Sequence, residues 1–546
     1  MTNFTAKIFD ISRNGIAAQQ AVIANAANNV ANVNTEGFAQ RDIQLESAGK
    51  SGSVTLNLGH GVEIGAVTRR VDQFLEKVLR SSTSEAGETQ AEDDYLTRVD
   101  RLFSLLDGDV TIGTELTSFF TSLHDLTLNP SSIELRNVVV KAGENLVNTI
   151  SNTYDTIANL QDEIDRRLEI EVGTINTFTT QIATLNDKIS AVESGGTRVA
   201  ATERDQRDLL LNKLADKISY DMVETSGGEV TLSLSNGFAL VSGSTARSIE
   251  ISRTPSFAAG TLPASLSGGS LGYVVYDFDS GAGTQHVNLT DIVANGTGAL
   301  AGLLDIRGVQ QTTHTSPFQA VGVLPEIASE IEAITRDLLT RVNTTYLGPD
   351  EDAGTPNHQA SSADLNGAAA AVYGLFSVNT TTTLDVDGNG LPDDIAALEL
   401  AGISNFSSRL QLAFSDPTRI AAARDQDATA GSTAFATGDG SNIEAIVALQ
   451  NASTTFATGN FSQTGTFDDI YNQTVSNVGN LAARGEVNNE LAQDRLLVAQ
   501  NQRDEVSAVS LDEQFSRLIS FQRAFEGSAR MFRVADELLT TILQLI

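Results

Sequence analysis

The stretch SLDEQFSRLISFQRAFEGSARMFRVADELLTTILQLI at residues 510–546 decides the architecture of this chain. Its apolar residues recur at alternating steps of four and three, interrupted only by Gln522 and Asp536. Such a repeat, kept over about three to four heptads without proline, predicts a helix that packs against another helix. The predicted contact positions are Leu511, Phe515, Leu518, Gln522, Phe525, Ala529, Phe532, Asp536, Leu539, Leu543 and Ile546.

A matching pattern lies at the other end of the chain and stops at the turn-forming residues 35–37. Its positions are Phe4, Ile8, Ile11, Gly15, Ala18, Val22, Asn25, Asn29 and Asn32. A helix of about 30 residues with one apolar stripe is marginal alone in water. We therefore expect the two terminal helices to form a coiled coil with each other, while the rest of the chain builds a body between them.

Asparagine is unusually frequent at the end of the first helix, although it is a poor helix former. Two interpretations are open. In the first, Asn25, Asn29 and Asn32 continue the contact stripe as polar positions that fix register, a known use of buried asparagine. In the second, the helix frays near Asn25 and the remaining residues form a turn.

The chain is strongly acidic. Its 546 residues contain 35 Lys and Arg against 69 Asp and Glu, which gives a net charge of −34. Nucleic acids and anionic membranes attract cationic surfaces, and no basic cluster interrupts this acidic background. We therefore expect neither as a partner. The length suggests roughly three or four domains.

Cysteine is absent from the sequence, which excludes disulfides, thiolate metal ligands and cysteine nucleophiles. The first twenty residues lack the continuous apolar core of a cleaved secretory signal, and no apolar run is long enough to cross a bilayer. Taken alone, these features predict a protein of the cytoplasm without membrane insertion.

The segment AANNVANVNTEGF at residues 26–38 resembles the N-terminal motif of the axial proteins of the bacterial flagellum, which form its rod, hook and hook-associated structures. The matching residues are Asn28, Asn29, Ala31, Asn32, Asn34, Thr35, Gly37 and Phe38. The C-terminal stretch resembles the terminal helix of the same family at Leu511, Leu518, Gln522, Ala524, Asp536, Leu539 and Leu543. Residues 58–75 and 203–218 are similar to the hook-filament junction members.

This resemblance implies a structural, non-enzymatic protein that joins hook to filament as a ring of copies. The implied partners are other copies of the chain, the hook protein, the second junction protein (hook-associated protein 3), an export chaperone and the flagellar type III export apparatus. The implied location is extracellular, after export without a cleaved signal. The implied assembly interface comprises Asn28, Asn29, Asn32, Asn34, Thr35, Gly37, Phe38, Leu511, Phe515, Leu518, Gln522, Phe525, Phe532, Leu539 and Leu543.

Two other classes of protein remain possible. A hook protein or distal rod protein would share the terminal motifs, although the internal helices argue against both. A secreted calcium-binding adhesin is the alternative from a different class.

Helical periodicity also dominates the middle of the chain. Apolar residues spaced by four and three run from Leu146 to Val192, which predicts a helix of about 47 residues and roughly 70 Å. Further helices are predicted at 116–128, 203–218, 324–346 and 467–506. Ser510 and Glu513 predict a capping box at the start of the last helix. Period-two alternation from residue 220 predicts strands instead, with others at 271–278 and 285–289.

The predicted fold is therefore multidomain and mainly α, with a terminal coiled coil, a long-helix bundle body and inserted β-rich outer domains. The expected divisions are a terminal domain (1–37 and 508–546), a helical body (38–219, 316–347 and 440–507), a β-rich domain (220–315) and an outward-facing insertion rich in Gly, Thr and Asp (348–439).

No set of residues predicts catalysis. Residues 268–272 form a G-x-S-x-G pattern, but a strand rather than a helix is expected after the serine, which excludes a nucleophile elbow. The alternating charges at 205–208 are typical of a solvated, salt-bridged helix face. None of the five histidines has the spacing of a metal-binding motif.

One motif in the insertion is similar to a calcium loop. Asp385, Asp387, Asn389 and Asp393 occupy loop positions 1, 3, 5 and 9, and Gly390 stands at the turn position. Ala396 stands where the loop normally carries a bidentate glutamate, so any affinity for Ca²⁺ would be weak. An Asp/Gly turn between two strands is the alternative. No other cofactor is expected.

Overall fold

The computed structural model describes residues 2–48, 61–103, 110–195, 199–253, 265–279, 284–309, 320–348, 362, 363, 365, 374–379, 405–424 and 436–544. The helices are α1 Thr2–Ala31, α2 Gln73–Phe103, α3 Ile112–Leu128, α4 Ile133–Glu193, α5 Ala201–Lys217, α6 Thr290–Ala294, α7 Ala299–Arg307, α8 Val323–Asp337, α9 Asn343–Leu347, α10 Phe406–Arg409, α11 Ser441–Val447, α12 Phe467–Ser507 and α13 Leu511–Gln544.

The strands are short and antiparallel, and most form two-stranded ribbons. They are β1 Arg41–Ser47, β2 Val62–Arg69, β3 Asp221–Glu224, β4 Val230–Ser233, β5 Ala239–Ser242, β6 Thr245–Ala246, β7 Glu250–Ser252, β8 Tyr273–Asp279, β9 Thr284–Asn288, β10 Ser362–Ala363, β11 Phe376–Val378, β12 Leu410–Leu412, β13 Ala423–Arg424, β14 Thr454–Thr458 and β15 Phe461–Gly465. Only β3–β6 and β7–β9 build larger sheets, each a meander in sequence order.

The central element of the body is α4, which has 61 residues and spans about 90 Å. It begins earlier than its periodicity predicts, because Ser132 caps its first turn: the Ser132 hydroxyl accepts from the N–H of Leu135 over 3.3 Å. Its buried face, which includes Leu146, Ile150 and Ile164, lies in the main hydrophobic core. The predicted long helix is thus confirmed and extended.

Polar side chains on α4 hold the β-sheets against the helix. Asn176 exchanges hydrogen bonds with the backbone of Ile249, and Asn186 does the same with Val230. Asn186 is fully buried. Because a buried amide without partners is costly, these bonds fix one docking position for each sheet.

Parts of two predicted domains pack into the helical core. The helix α7, inside the predicted β-rich range, lies against α2, where an added Cβ on Gly302 would stand 2.4 Å from the carbonyl oxygen of Glu88. Residues 405–424, inside the predicted outward insertion, are anchored as well: Glu332 of α8 accepts from the backbone N–H groups of Phe406 and Ser407. These residues therefore belong to the packed body. The remaining domain boundaries stay predictions.

Across the described residues, no helix combines the length and the apolar character that a bilayer crossing requires.

Candidate assembly interface

The two terminal helices lie side by side and run antiparallel. The ring of Phe9 meets that of Phe532 edge to face at 5.1 Å between centroids. Further along, Gly15 lies against Ser528, and an added Cβ would stand 3.0 Å from the serine hydroxyl. Small residues on α1 therefore let the two helices approach closely, as the terminal repeats predict.

The stripe of α13 that faces α1 overlaps the predicted one and also uses neighbouring positions. Gln514 and Ala535 are buried, whereas the predicted Phe515 is 52% exposed. At this level of the pair, Gly15 on α1 leaves room for the side chain of Ser528. The adjacent apolar positions of α13 remain uncovered in the single chain.

The predicted α13 positions are distributed between these two sides. Leu518, Phe525 and Leu539 are half-buried, Leu511, Phe515 and Gln522 are exposed, and the ring of Phe532 meets Phe9 although 39% of the residue is exposed. The side chain of Leu543 lies outside the described residues.

A second feature, which we call the joint, is formed where the terminal helices meet the body. Asn29 is fully buried. Its Nδ2 donates to the carbonyl oxygen of Arg41 (3.0 Å) and to Oε1 of Gln514 (3.2 Å), and its Oδ1 accepts from the N–H of Arg41 (3.1 Å). One asparagine thus connects α1, β1 and α13. Asn25 adds a bond to the same carbonyl oxygen (2.6 Å).

These contacts decide between the two interpretations of the asparagine-rich segment. The helix continues past Asn25 to Ala31, so it does not fray early. Asn29 fixes the register between packed helices, as the first interpretation predicts. Asn32 is different, because its Nδ2 bonds within its own helix, to the carbonyl oxygen of Asn28. Asn32 was therefore wrongly assigned to the contact stripe.

The turn that follows α1 places the chain against α5. Gly37 has a positive φ of 77°, and an added Cβ would stand 3.0 Å from Cβ of Leu209. A glycine is required here for both backbone conformation and space. The ring of Phe38 lies below the guanidinium of Arg41, 5.1 Å from its centroid. The remaining motif residues Asn28, Asn34 and Thr35 are exposed.

Backbone hydrogen bonds complete the joint. The N–H of Gln40 donates to the carbonyl oxygen of Ser507 at the end of α12 (2.8 Å), and the N–H of Arg70 donates to the carbonyl oxygen of Gln40 (2.8 Å). Gln40 is fully buried, yet neither polar atom of its side-chain amide has a partner among the described residues. The unpaired amide therefore lowers the stability of the folded chain.

Charged groups attach the β1–β2 ribbon to α5. Asp205 accepts from Arg41 (3.1 Å) and Arg69 (2.7 Å), and Arg69 also reaches Asp208 (2.5 Å). Burial raises the pKa of Asp205 above its usual value, although both guanidinium groups act in the opposite direction. Burial lowers the pKa of Arg69, but Asp208 and Asp205 outweigh it and raise that pKa. The predicted salt bridges at 205–208 are thus confirmed, but Asp205 and Arg207 are buried rather than solvated.

The sequence motif did not indicate Arg41, Asp205 or Gln514 as parts of the joint. Their partners lie far away along the chain, so no local spacing could identify them. The predicted capping box at Ser510 is only half formed: the Ser510 hydroxyl accepts from the N–H of Glu513 (3.4 Å), but the Glu513 carboxylate accepts from Arg517 instead.

The predicted calcium loop, Asp385 to Asp393, lies outside the described residues and stays a prediction. Within the described ranges, no cluster of three or more His, Asp or Glu side chains could hold a metal ion.

Comparisons with known proteins match proteins of the bacterial flagellum. A family model described as the flagellar hook-associated protein FlgK helical domain matches residues 96–352. A second model, the C-terminal region of the flagellar basal body rod FlgEFG proteins, matches residues 500–545.

Full-length relatives give the same result. The chain is 24% identical to flagellar hook-associated protein 1 of Escherichia coli (strain K12), with 97% of the chain and 98% of the relative covered. It is 25% identical to the protein of the same name in Bacillus subtilis (strain 168), with 98% and 97% covered.

A solved structure has a similar fold. It is the flagellar hook junction protein FlgK from Burkholderia pseudomallei, which matches with a TM-score of 0.56 at 16% identity. The match covers 79% of this chain and all of that structure.

Proposed function

This chain belongs to the family of the flagellar hook-associated protein FlgK, and on that premise we propose that it is a structural subunit of the bacterial flagellum that joins hook to filament. The family is one of structural flagellar proteins, in keeping with a chain that catalyses no reaction. The rod-protein model matches only the last residues, whereas the FlgK helical-domain model matches 96–352. A junction role is therefore favoured over a role as hook or distal rod protein.

The observation that carries this proposal is the pairing of both chain ends at one joint. The terminal pair leaves apolar side chains of α13 uncovered, among them Phe515 (52% exposed), Ile519 (52%) and Met531 (54%). Contiguous apolar surfaces of this kind mark contacts with other molecules. In our proposal, they contact the terminal helices of neighbouring copies in a ring, while the body faces outward.

We further propose that the ring contacts the hook protein on one side and the second junction protein, hook-associated protein 3, on the other. Delivery would use an export chaperone and the flagellar type III apparatus, which places the chain outside the cell. The uncovered apolar surface also suggests that the terminal helices are ordered only after assembly, because folding coupled to binding supplies the missing contacts. Amide exchange that shows protected ends in the dilute monomer would contradict this last point.

A complementation experiment tests the function. A strain that lacks the gene should build hooks without filaments and lose flagellin to the medium, and the full chain should restore swimming. Versions without residues 1–37 or 508–546 should fail to do so. A matched control replaces residues 381–401 with a short Gly/Ser linker and should still restore filaments. Filaments on cells that carry only the terminally truncated chains would refute the proposal.

A further inference from the structure

A groove of about 710 Å³ runs between α8 and α12 on the helical body. Its α8 wall carries Glu326 and Glu330, which lie one helical turn apart, and its α12 wall carries Leu481 and Val487. Glu326 is exposed, and Val487 is 60% exposed. The groove therefore offers carboxylates on one side and aliphatic surface on the other.

The carboxylates of this groove lack a cation. Glu330 is 3% exposed; its Oε1 accepts from Asn477 (3.3 Å), while Oε2 has no partner among the described residues. Burial, with the neighbouring Glu326, raises the pKa of Glu330 although bonds to Thr474 and Asn477 oppose the shift. A buried carboxylate of this kind is stabilised by a positive charge supplied from outside.

One guanidinium, that of Arg484, also lines the groove but forms an ion pair with neither carboxylate. Nε of Arg484 donates to the carbonyl oxygen of Asn480 (3.2 Å), and Arg484 forms no ion pair within the described part of the chain. Two carboxylates thus face one guanidinium, and the groove keeps an excess of negative charge.

A surface of complementary character lies on α4 and shares no residue with the groove. Arg166 and Ile170 are four residues apart, so they project from the same side of the helix. Ile170 is 70% exposed, and Arg166 is exposed without an ion pair to any residue that the structure describes. The direct ion-pair partner of Glu163 is Arg98, at 2.6 Å, and the hydrogen bond from Arg98 lowers the pKa of Glu163, with a smaller contribution from the charge of Arg166.

We propose that Arg166 and Ile170 of one copy dock into the α8–α12 groove of a second copy, with Arg166 beside Glu326 and Glu330 and Ile170 against Val487. The contact joins two different surfaces of the same chain, so it repeats from copy to copy and closes into a ring when the rotation permits. This inference rests on the proposed function, because it names the lateral contact of the same ring.

Engineered cysteines test the contact against a clean background, since the natural chain has none. Two variants, Ile170→Cys and Val487→Cys, are co-expressed in cells that lack the natural gene, and flagella are treated with a short bismaleimide. A covalent dimer should form in the mixture and not with either variant alone. Because the two cysteines lie on different molecules, a link within one chain cannot produce this band.

Two results would overturn the inference. One is no dimer in the mixture, provided that filaments are present. The other is an equal dimer from Ile170→Cys alone, which would indicate a two-fold contact of α4 with itself. A control mixture of Leu128→Cys and Val138→Cys uses residues that are 77% and 53% exposed and outside both surfaces. It should give no dimer.

Charge reversal supplies a second readout. Arg166→Glu and Glu326→Arg should each lower the number of filaments per cell several-fold, and the double variant should recover most of the loss because the ion pair is restored with reversed signs. Absence of recovery would contradict the pairing. If cross-linking and reversal both fail while terminal truncation still abolishes filaments, only the lateral contact is wrong. If filaments form without the chain, the proposed function itself is wrong.

Discussion

The side chain of Asn29 and the backbone of Arg41 hydrogen-bond in both directions, through Nδ2 to the carbonyl oxygen (3.0 Å) and through the N–H to Oδ1 (3.1 Å). The same Nδ2 reaches Gln514 on the last helix. A single buried amide thus holds together the first helix, the strand that enters the body and the last helix. Its removal leaves the N–H of Arg41 and Oε1 of Gln514 without these partners.

Replacement of this amide should weaken the attachment of the terminal pair. We expect Asn29→Ala to cost about 1–3 kcal/mol, the usual penalty for leaving buried polar groups unpaired. In flagella isolated from cells, amide exchange in α1 should speed up. The neighbouring Asn28→Ala is the matched control, because Asn28 is exposed. Equal exchange rates in the two variants would show that the joint does not depend on Asn29.

The turn after α1 should tolerate no side chain at Gly37. An L-residue in the left-handed region is strained by about 1–2 kcal/mol, and the new Cβ of Gly37→Ala would also press on Leu209. Filaments should detach from hooks at a lower temperature. Gly195→Ala should leave that temperature unchanged, since nothing lies within 4 Å of an added Cβ there. Unchanged detachment in Gly37→Ala would contradict the close approach to α5.

Replacement of Gln40 should stabilise the fold, in contrast to the two changes above, because its side-chain amide is unpaired among the described residues. Gln40→Met keeps nearly the same shape and removes two buried polar atoms that have no partner among the described residues. We expect the joint to gain about 1 kcal/mol of stability, measured as slower amide exchange in α1 of flagella isolated from cells. A fall in stability would mean that an ordered water or a second molecule satisfies the amide.

Carboxylates between α2 and α7 should make stability depend on pH. Burial and the nearby Asp305 raise the pKa of Glu88 to about 7, and burial together with Glu88 raises that of Glu92 to about 7. The folded state therefore holds these protons more tightly than the unfolded chain, whose glutamate carboxyls have their ordinary pKa of 4.5. The stabilisation is complete below about pH 4.5 and is lost as the pH rises through 7.

Unfolding of Glu88→Gln measures this effect. At pH 8 the variant should be more stable than the natural chain by about 1 kcal/mol, a value reduced for the solvent that reaches these groups. At pH 4 the two should differ little. Glu490→Gln on the exposed side of α12 is the control and should show no such pH dependence. A stability gain of Glu88→Gln at pH 4 equal to that at pH 8 would contradict the raised pKa.

The calcium loop predicted from Asp385 to Asp393 is tested by titration. Calorimetry of the purified chain with CaCl₂ should show weak binding that Asp387→Ala abolishes and that EDTA reverses, because the loop lacks its bidentate glutamate. Thr383→Ala, a change just outside the loop, should leave the heat unchanged. If the titration of the natural chain with CaCl₂ shows no heat of binding, the calcium-loop prediction is wrong.

Helix positions were the most predictable part of this fold, because apolar periodicity is a local signal. The pattern from Leu146 to Val192 identified the interior of α4, and only its first turns, which pack under α3, were missed. The strands after residue 220 were likewise visible from their alternation and turn residues.

Contacts between distant segments were not predictable in the same way. The repeats of the terminal helices carry overlapping apolar stripes, and contacts with the partner helix, such as Gly15 with Ser528 and Asn29 with Gln514, determine which positions face it. Residues 405–424 have no strong periodicity, and their place in the body depends on Glu332, about 75 residues away in the sequence. From the sequence, the charges at 205–208 resembled a solvated, salt-bridged face. Their partners Arg41 and Arg69 are distant in the chain and could be identified only from the structure.

The hydrogen bond from the N–H of Gln40 to the carbonyl oxygen of Ser507 joins the point where the chain enters the body to the point where it leaves the body. The segment between these two residues is therefore an insertion between the paired terminal helices. The interior of that segment can vary in size so long as Gln40 stays one hydrogen bond from Ser507 and Arg41 keeps its contacts with Asn29, so a foreign domain displayed on the flagellar surface belongs inside the segment and away from its ends.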